Sequence, residues 1–84
     1  MFIPEYLDNR KRDANNILDK LKAGNFADIK VLGHKMKGSG KLYGFEEISE
    51  IGEAIEQSAG LNDLEEIKKL HSRLSSYLEE VEVK

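Results

Sequence analysis

Apolar residues recur every three or four positions in four separate blocks of this 84-residue chain. This spacing places the apolar side chains of each block on one face of an α-helix, and the alternation typical of β-strands is absent. The four blocks contain, in order, Leu7, Ala14, Ile17, Leu18 and Leu21; Ile29, Leu32, Met36 and Tyr43; Phe45, Ile48, Ile51, Ile55 and Ala59; and Leu64, Ile67, Leu74, Leu78 and Val81. The pattern predicts four amphipathic helices.

The junctions between the blocks carry residues that end and begin helices. Glycines and asparagines stand there at Gly24, Asn25, Gly44, Gly60 and Asn62, and Glu65 follows Asn62 at the spacing of a capping box. The single proline, Pro4, lies in a plausible first helical turn. Because short connections make successive helices antiparallel neighbours, we predict an all-α, antiparallel up-down-up-down four-helix bundle. Residues 1–84 are long enough for a single domain of this kind and too short for two.

Composition excludes several classes of function. The chain has no cysteine, so neither a disulfide framework nor a thiolate metal site is expected. Without a basic leader or an apolar run of about 20 residues, we expect a soluble cytoplasmic protein with no membrane contact. A net charge of −3 argues against nucleic-acid binding. The charge is unevenly distributed, +4 over residues 1–43 and −7 over residues 44–84, which predicts a locally basic face.

His34 is the residue with the most unusual predicted surroundings. At about 100° per residue, it lies about 200° from Met36 and about 180° from Tyr43, so it should face solvent. The same geometry places three lysines and one glycine within about 60° of the imidazole, namely Lys30, Lys37, Lys41 and Gly38. Lys37, one turn away, is suited to neutralise an anion on the ring, and Gly38 costs the helix about 1 kcal/mol, which close approach by a partner would offset.

Hydrolase chemistry is not favoured by this pattern. Ser39 is about 140° around the helix from His34, too far to be its nucleophile. No carboxylate on the same helix stands where it would orient the imidazole as a general base. A small hydrolase or phosphatase therefore remains a third-ranked alternative.

The stretch Gly33-His34-Lys35-Met36-Lys37-Gly38-Ser39-Gly40, followed by Leu42-Tyr43-Gly44-Phe45, resembles the signature of histidine phosphotransfer domains. The matching positions are a histidine, an apolar residue two positions later, a lysine, a glycine and a further glycine, here His34, Met36, Lys37, Gly38 and Gly44. The segment Ala54-Ile55-Glu56 is also similar to the family. Gly33 and the Tyr43-Gly44-Phe45 junction depart from its commonest form and suggest a subtype.

The resemblance implies a four-helix phosphocarrier without ATP-dependent kinase activity of its own. His34 would be the phosphoacceptor, and Lys37 would stabilise the charge of the phosphoryl group. The implied partners are response-regulator receiver domains and a hybrid sensor histidine kinase. No cofactor or metal is expected in this chain, because Mg²⁺ would be supplied by the receiver.

A docking surface is expected around His34. Ala27, Val31 and Gly38 border its face and would form the apolar centre of the receiver contact, while Lys30 and Lys41 would steer an acidic partner. The runner-up hypothesis is a non-catalytic helical adaptor that uses this face without being phosphorylated. We expect a monomer, since each apolar stripe is satisfied within one bundle.

Other residues receive structural interpretations. Gly40 falls on the apolar side of its helix and is expected to allow close helix packing. His71 is expected at the edge of the core rather than in a ligand site. The glutamates of residues 46–56 are expected to form mainly a solvated helix face.

Overall fold

The computed structural model describes residues 3–83, which form four helices and no strands. These are α1 (Ile3–Lys22), α2 (Phe26–Tyr43), α3 (Glu46–Gly60) and α4 (Leu64–Val83). Each helix packs against the next, and α1 also packs against α4, so the four helices close around a common core. The predicted all-α four-helix bundle is confirmed. Of the predicted single domain of residues 1–84, Met1, Phe2 and Lys84 lie outside the described residues.

Two of the three predicted junctions are confirmed and one shifts by a residue. Asn25 caps α2 by accepting a hydrogen bond from the backbone N–H of Asp28, and Gly44 ends α2 with a φ of 80°. The predicted capping role of Asn62 is wrong, because Asp63 accepts the hydrogen bond from the N–H of Glu66. Asn62 instead adopts a left-handed conformation with a φ of 55°, which asparagine tolerates better than most residues, and thereby reverses the chain.

The core consists mainly of the predicted apolar residues. Fully buried large side chains come from all four helices, and they are Tyr6, Ile17, Ile29, Met36, Ile48, Ile51, Ile55, Ile67 and Leu74. Burial of such a side chain stabilises the fold by about 1.5–3 kcal/mol. Leu18 and Leu64, predicted in the apolar stripes, are instead more than a third exposed, because they lie at the edges of those stripes.

The helices α2 and α3 approach each other backbone to backbone through three glycines. A Cβ atom added to Gly33, Gly40 or Gly52 would lie within 2.5–2.7 Å of a backbone nitrogen on the facing helix. No side chain fits at such a distance without displacing a helix. The buried Ser49 strengthens this contact by donating a hydrogen bond of 2.9 Å to the carbonyl of Lys37. The structural interpretation of Gly40 is confirmed, and Gly33 has the same role.

No helix within residues 3–83 combines the length and apolar character needed to cross a membrane.

Candidate functional site

His34 projects from the middle of α2 into solvent, as predicted. Its side chain is 71% exposed, whereas Met36, two residues later, is fully buried. The burial of Met36 fixes the rotation of α2 about its axis, and that rotation points the imidazole outward. A partner can therefore reach the ring without any rearrangement of the bundle.

The imidazole of His34 is held by a carboxylate from the neighbouring helix. Its Nδ1 lies 3.0 Å from Oε2 of Glu56 on α3. The close packing of Gly33 against the backbone of Glu56 brings the two side chains within reach. Residues 46–56 were predicted to be mainly a solvated face, with Glu56 set apart by the family resemblance, and only about a quarter of the Glu56 side chain is exposed. No carboxylate on α2 orients His34, but one on α3 does.

This contact determines which ring nitrogen is available for chemistry. An ionised carboxylate only accepts hydrogen bonds, so this contact favours the ring form in which Nδ1 of His34 is protonated and donates a hydrogen bond to Glu56. In the neutral ring, Nε2 then keeps its lone pair. A carboxylate behind an imidazole fixes both the tautomer and the orientation of the ring. The site therefore presents a single oriented nucleophilic nitrogen to solvent.

Lys37 lies one turn along α2 from His34 and also has a partner on α3. Its Nζ is 3.6 Å from Oε1 of Glu53, and about a third of its side chain is exposed. Its backbone is fixed on two sides, by the hydrogen bond from Ser49 and by the close approach of Gly52 to its backbone nitrogen. Lys37 is thus three residues from His34 in the sequence, and both its backbone and its side chain contact α3.

The predicted docking residues surround His34 on an open surface. Ala27, Lys30, Val31, Gly38 and Lys41 are all exposed, and nothing comes within 4 Å of a Cβ built on Gly38. An open groove of about 550 Å³ extends this surface onto α3, and it is lined by Lys30, Glu56, Gln57, Gly60 and Leu61. The side of this surface on α3 was missed by sequence reasoning. The sequence does contain one signal for it, the apolar residue Leu61 directly after Gly60 at a helix end. In the structure Leu61 is 79% exposed.

Ser39 belongs to a different cluster, on the side of α2 that faces α1. Its Oγ lies 3.0 Å from the hydroxyl of Tyr6 and accepts a hydrogen bond of 2.9 Å from Arg10. Arg10 also lies over the ring of Tyr6 and forms an ion pair of 2.8 Å with Asp13. Burial raises the pKa of Asp13, while the charges of Arg10 and Lys35 partly oppose that rise. Ser39 is therefore occupied away from His34, as its predicted position on the helix requires.

His71 is half-buried on α4, which agrees with its predicted place at the edge of the core. Among residues 3–83, no three histidine, aspartate or glutamate side chains come together in an arrangement that could hold a metal ion.

Comparison with known proteins gives one match. Searches of curated proteins and of solved structures gave no significant match. The family model described as the Hpt domain matches residues 2–83. Domains of this family perform histidine phosphotransfer in phosphorelay signalling, and they are phosphocarriers rather than kinases. Because the match covers nearly the whole chain, the protein belongs to the Hpt domain family.

Proposed function

We propose that His34 accepts a phosphoryl group from the aspartate of one receiver domain and passes it to the aspartate of another. The observation that carries this proposal is the hydrogen bond from Nδ1 of His34 to Glu56. It leaves Nε2 of an exposed imidazole free to attack phosphorus. In a family of phosphocarriers, an oriented histidine on an open surface is the group best suited to this role.

The transfer is an in-line displacement. The Nε2 lone pair of His34 attacks the phosphorus of the aspartyl phosphate, the new N–P bond forms, and the P–O bond to the aspartate breaks with release of its carboxylate. The proton on Nδ1 stays in place, so the phosphorylated ring becomes formally cationic. Glu56 stabilises that charge, and the cationic ring is a good leaving group for the second transfer. Mg²⁺ bound by the receiver would neutralise the phosphoryl oxygens during both steps.

Lys37 would provide charge neutralisation from this chain. A phosphoryl group carries up to about two negative charges at neutral pH, and an ammonium group can neutralise them without a fixed planar geometry. One turn of helix separates Lys37 from His34, which places the ammonium within reach of a group on the imidazole. The ammonium of Lys37 should therefore interact more strongly with the imidazole side of the site when His34 carries a phosphoryl group than when it does not.

The partner would dock over the exposed residues around His34 and over the groove at the end of α3. Lys30 and Lys41 would attract an acidic receiver, and Val31, Gly38 and Leu61 would supply a small apolar contact. We infer a monomer, because the core of one bundle buries the apolar faces of all four helices. A hybrid sensor histidine kinase is the class of protein that would supply the first phosphorylated receiver.

The first test is incubation of the purified chain with a phosphorylated receiver and measurement of acid-labile phosphate. The wild type should acquire it, and His34→Gln should not. His71→Gln is the matched control, since it removes the other histidine and should leave transfer intact. If the wild type binds receivers but none of a panel transfers phosphate to it, the adaptor hypothesis replaces this proposal.

The second test concerns Glu56. Glu56→Gln should slow phosphorylation of His34 about tenfold or more, because the amide can present a hydrogen-bond donor to Nδ1 and thereby favour the wrong tautomer. Glu65→Gln, at an exposed position of α4, removes the same charge at a distance and should have little effect. Equal rates for the two variants would show that Glu56 does not orient the ring.

A further inference from the structure

The ion pair between Lys37 and Glu53 distinguishes Lys37 from the other lysines near His34. Among the residues that the structure describes, Lys30 and Lys41 have no carboxylate within 4 Å, whereas Nζ of Lys37 lies 3.6 Å from Glu53. Lys37, the lysine one turn from His34 on its C-terminal side, is therefore already paired with a carboxylate. This arrangement requires an explanation if the lysine is to neutralise a phosphoryl group.

The pair is built into the packing of α2 against α3. Gly52, the residue before Glu53, lies so close to α2 that a Cβ there would be 2.6 Å from the backbone nitrogen of Lys37. Ser49, one turn earlier on α3, binds the carbonyl of the same lysine. These two contacts fix the backbone of Lys37 beside Glu53. The helix interface thus sets where the side chain of Lys37 begins, and from there its ammonium reaches to 3.6 Å from Glu53.

We propose that Glu53 is a positioning residue that competes with the phosphoryl group on His34 for the ammonium of Lys37. This inference rests on the proposed function of His34. In the unphosphorylated chain the ammonium pairs with Glu53, and phosphorylation requires it to divide its interaction between a carboxylate and a phosphoryl group. Glu53 therefore makes the phosphorylated state less stable than it would be with an unpaired lysine. The consequence is that the phosphoryl group on His34 is readily passed on to the next receiver.

The expected effect follows from the exposure of the pair. About half of the Glu53 side chain and a third of the Lys37 side chain are accessible to solvent, and exposed pairs have modest interaction energies. Glu53→Gln should therefore shift the equilibrium of the phosphoryl group from the receiver toward His34 by about twofold to fivefold. Folding should be unaffected, because the glutamine keeps the size of the side chain at a half-exposed position.

The experiment measures the ratio of phosphorylated receiver to phosphorylated chain at equilibrium, for the full chain and one receiver. Glu50→Gln is the matched control, because Glu50 is one turn away on α3 and lies 3.8 Å from Arg73 rather than near Lys37. The proposal predicts the shift for Glu53→Gln and a clearly smaller one for Glu50→Gln. Equal shifts in the two variants, no shift, or a shift toward the receiver would overturn it.

A second measurement shows whether Glu53 acts through the lysine. In a Lys37→Gln background, Glu53→Gln should no longer move the equilibrium, since the ammonium for which it competes is absent. A shift that persists undiminished would mean direct repulsion between Glu53 and the phosphoryl group and would overturn the positioning role. If wild-type chain accepts phosphate on His34 while Glu53→Gln matches it, this inference alone fails. If the wild type accepts none, the proposed function fails with it.

Discussion

The two sides of α2 are packed in contrasting ways. Toward α3, glycines let the backbones touch, and a hydrogen bond of His34 and an ion pair of Lys37 cross the interface. Toward α1, the contact is made by large side chains, with the ring centre of Tyr6 4.6 Å from that of Tyr43 and 5.4 Å from that of Phe45, which follows the end of α2. The difference indicates a division of labour. The side facing α3 fixes the geometry of the site, and the side facing α1 supplies stability through burial of aromatic surface.

Removal of the aromatic contact should have the largest effect on stability and a small one on transfer. Tyr6→Ala deletes a buried ring and should lower the free energy of unfolding by about 3–5 kcal/mol. Tyr6→Phe, which loses only the hydrogen bond to Ser39, should cost about 1 kcal/mol. Denaturant unfolding measures both values. Loss of phosphotransfer in Tyr6→Ala, under conditions where it is folded, would contradict the division of labour.

A methyl group at the glycine interface should affect stability and transfer together. Gly52→Ala forces α2 and α3 apart and should destabilise the chain by about 1–3 kcal/mol, while slowing the phosphorylation of His34 because the contact with Glu56 is lost. Gly38→Ala is the control, since nothing lies near its Cβ, and it should instead stabilise the helix by about 1 kcal/mol. Thermal unfolding measures both stability changes. Equal changes in the two variants would refute the backbone contact.

The smallest expected effect concerns Asp13 and its dependence on pH. Because burial raises the folded-state pKa of Asp13, the folded chain binds this proton at a higher pH than the unfolded chain does. The stability of the wild type relative to Asp13→Asn should therefore rise as the pH is lowered from neutral into the acidic range. Denaturant unfolding of the wild type and of Asp13→Asn, once at neutral and once at acidic pH, measures this difference. Asp8→Asn is the control for the loss of one charge. A wild type that loses stability relative to Asp13→Asn on acidification would contradict the raised pKa of this carboxyl group.

Much of the fold follows from features that are local in sequence. Apolar spacing predicts the four helices, and the rotation of α2 predicts that His34 is exposed and Met36 buried, because both depend only on the helical period. The position of Asn62 could not be predicted in this way. Asn62 and Asp63 are both good capping residues, and the choice between them depends on where α3 stops.

The half of the site on α3 could not be predicted from spacing. The contact of His34 with Glu56 spans 22 residues, and it depends on how far α2 and α3 slide and rotate against each other. Gly33 and Gly52 fix that register, but a glycine in a sequence does not identify the residue that it will face. Tyr6 escaped prediction for a related reason, since its burial depends on rings contributed by the distant residues Tyr43 and Phe45.

The carboxylate behind His34 also has a regiochemical consequence. An imidazole has two nitrogens, and either can carry a phosphoryl group. With Nδ1 occupied by Glu56, this chain should form only the τ isomer, with phosphorus on Nε2. Isomer-selective antibodies, or nitrogen chemical shifts after treatment with phosphoramidate, can therefore report the state of a single hydrogen bond. Appearance of the π isomer would mark the fraction of molecules in which the ring has turned away from Glu56.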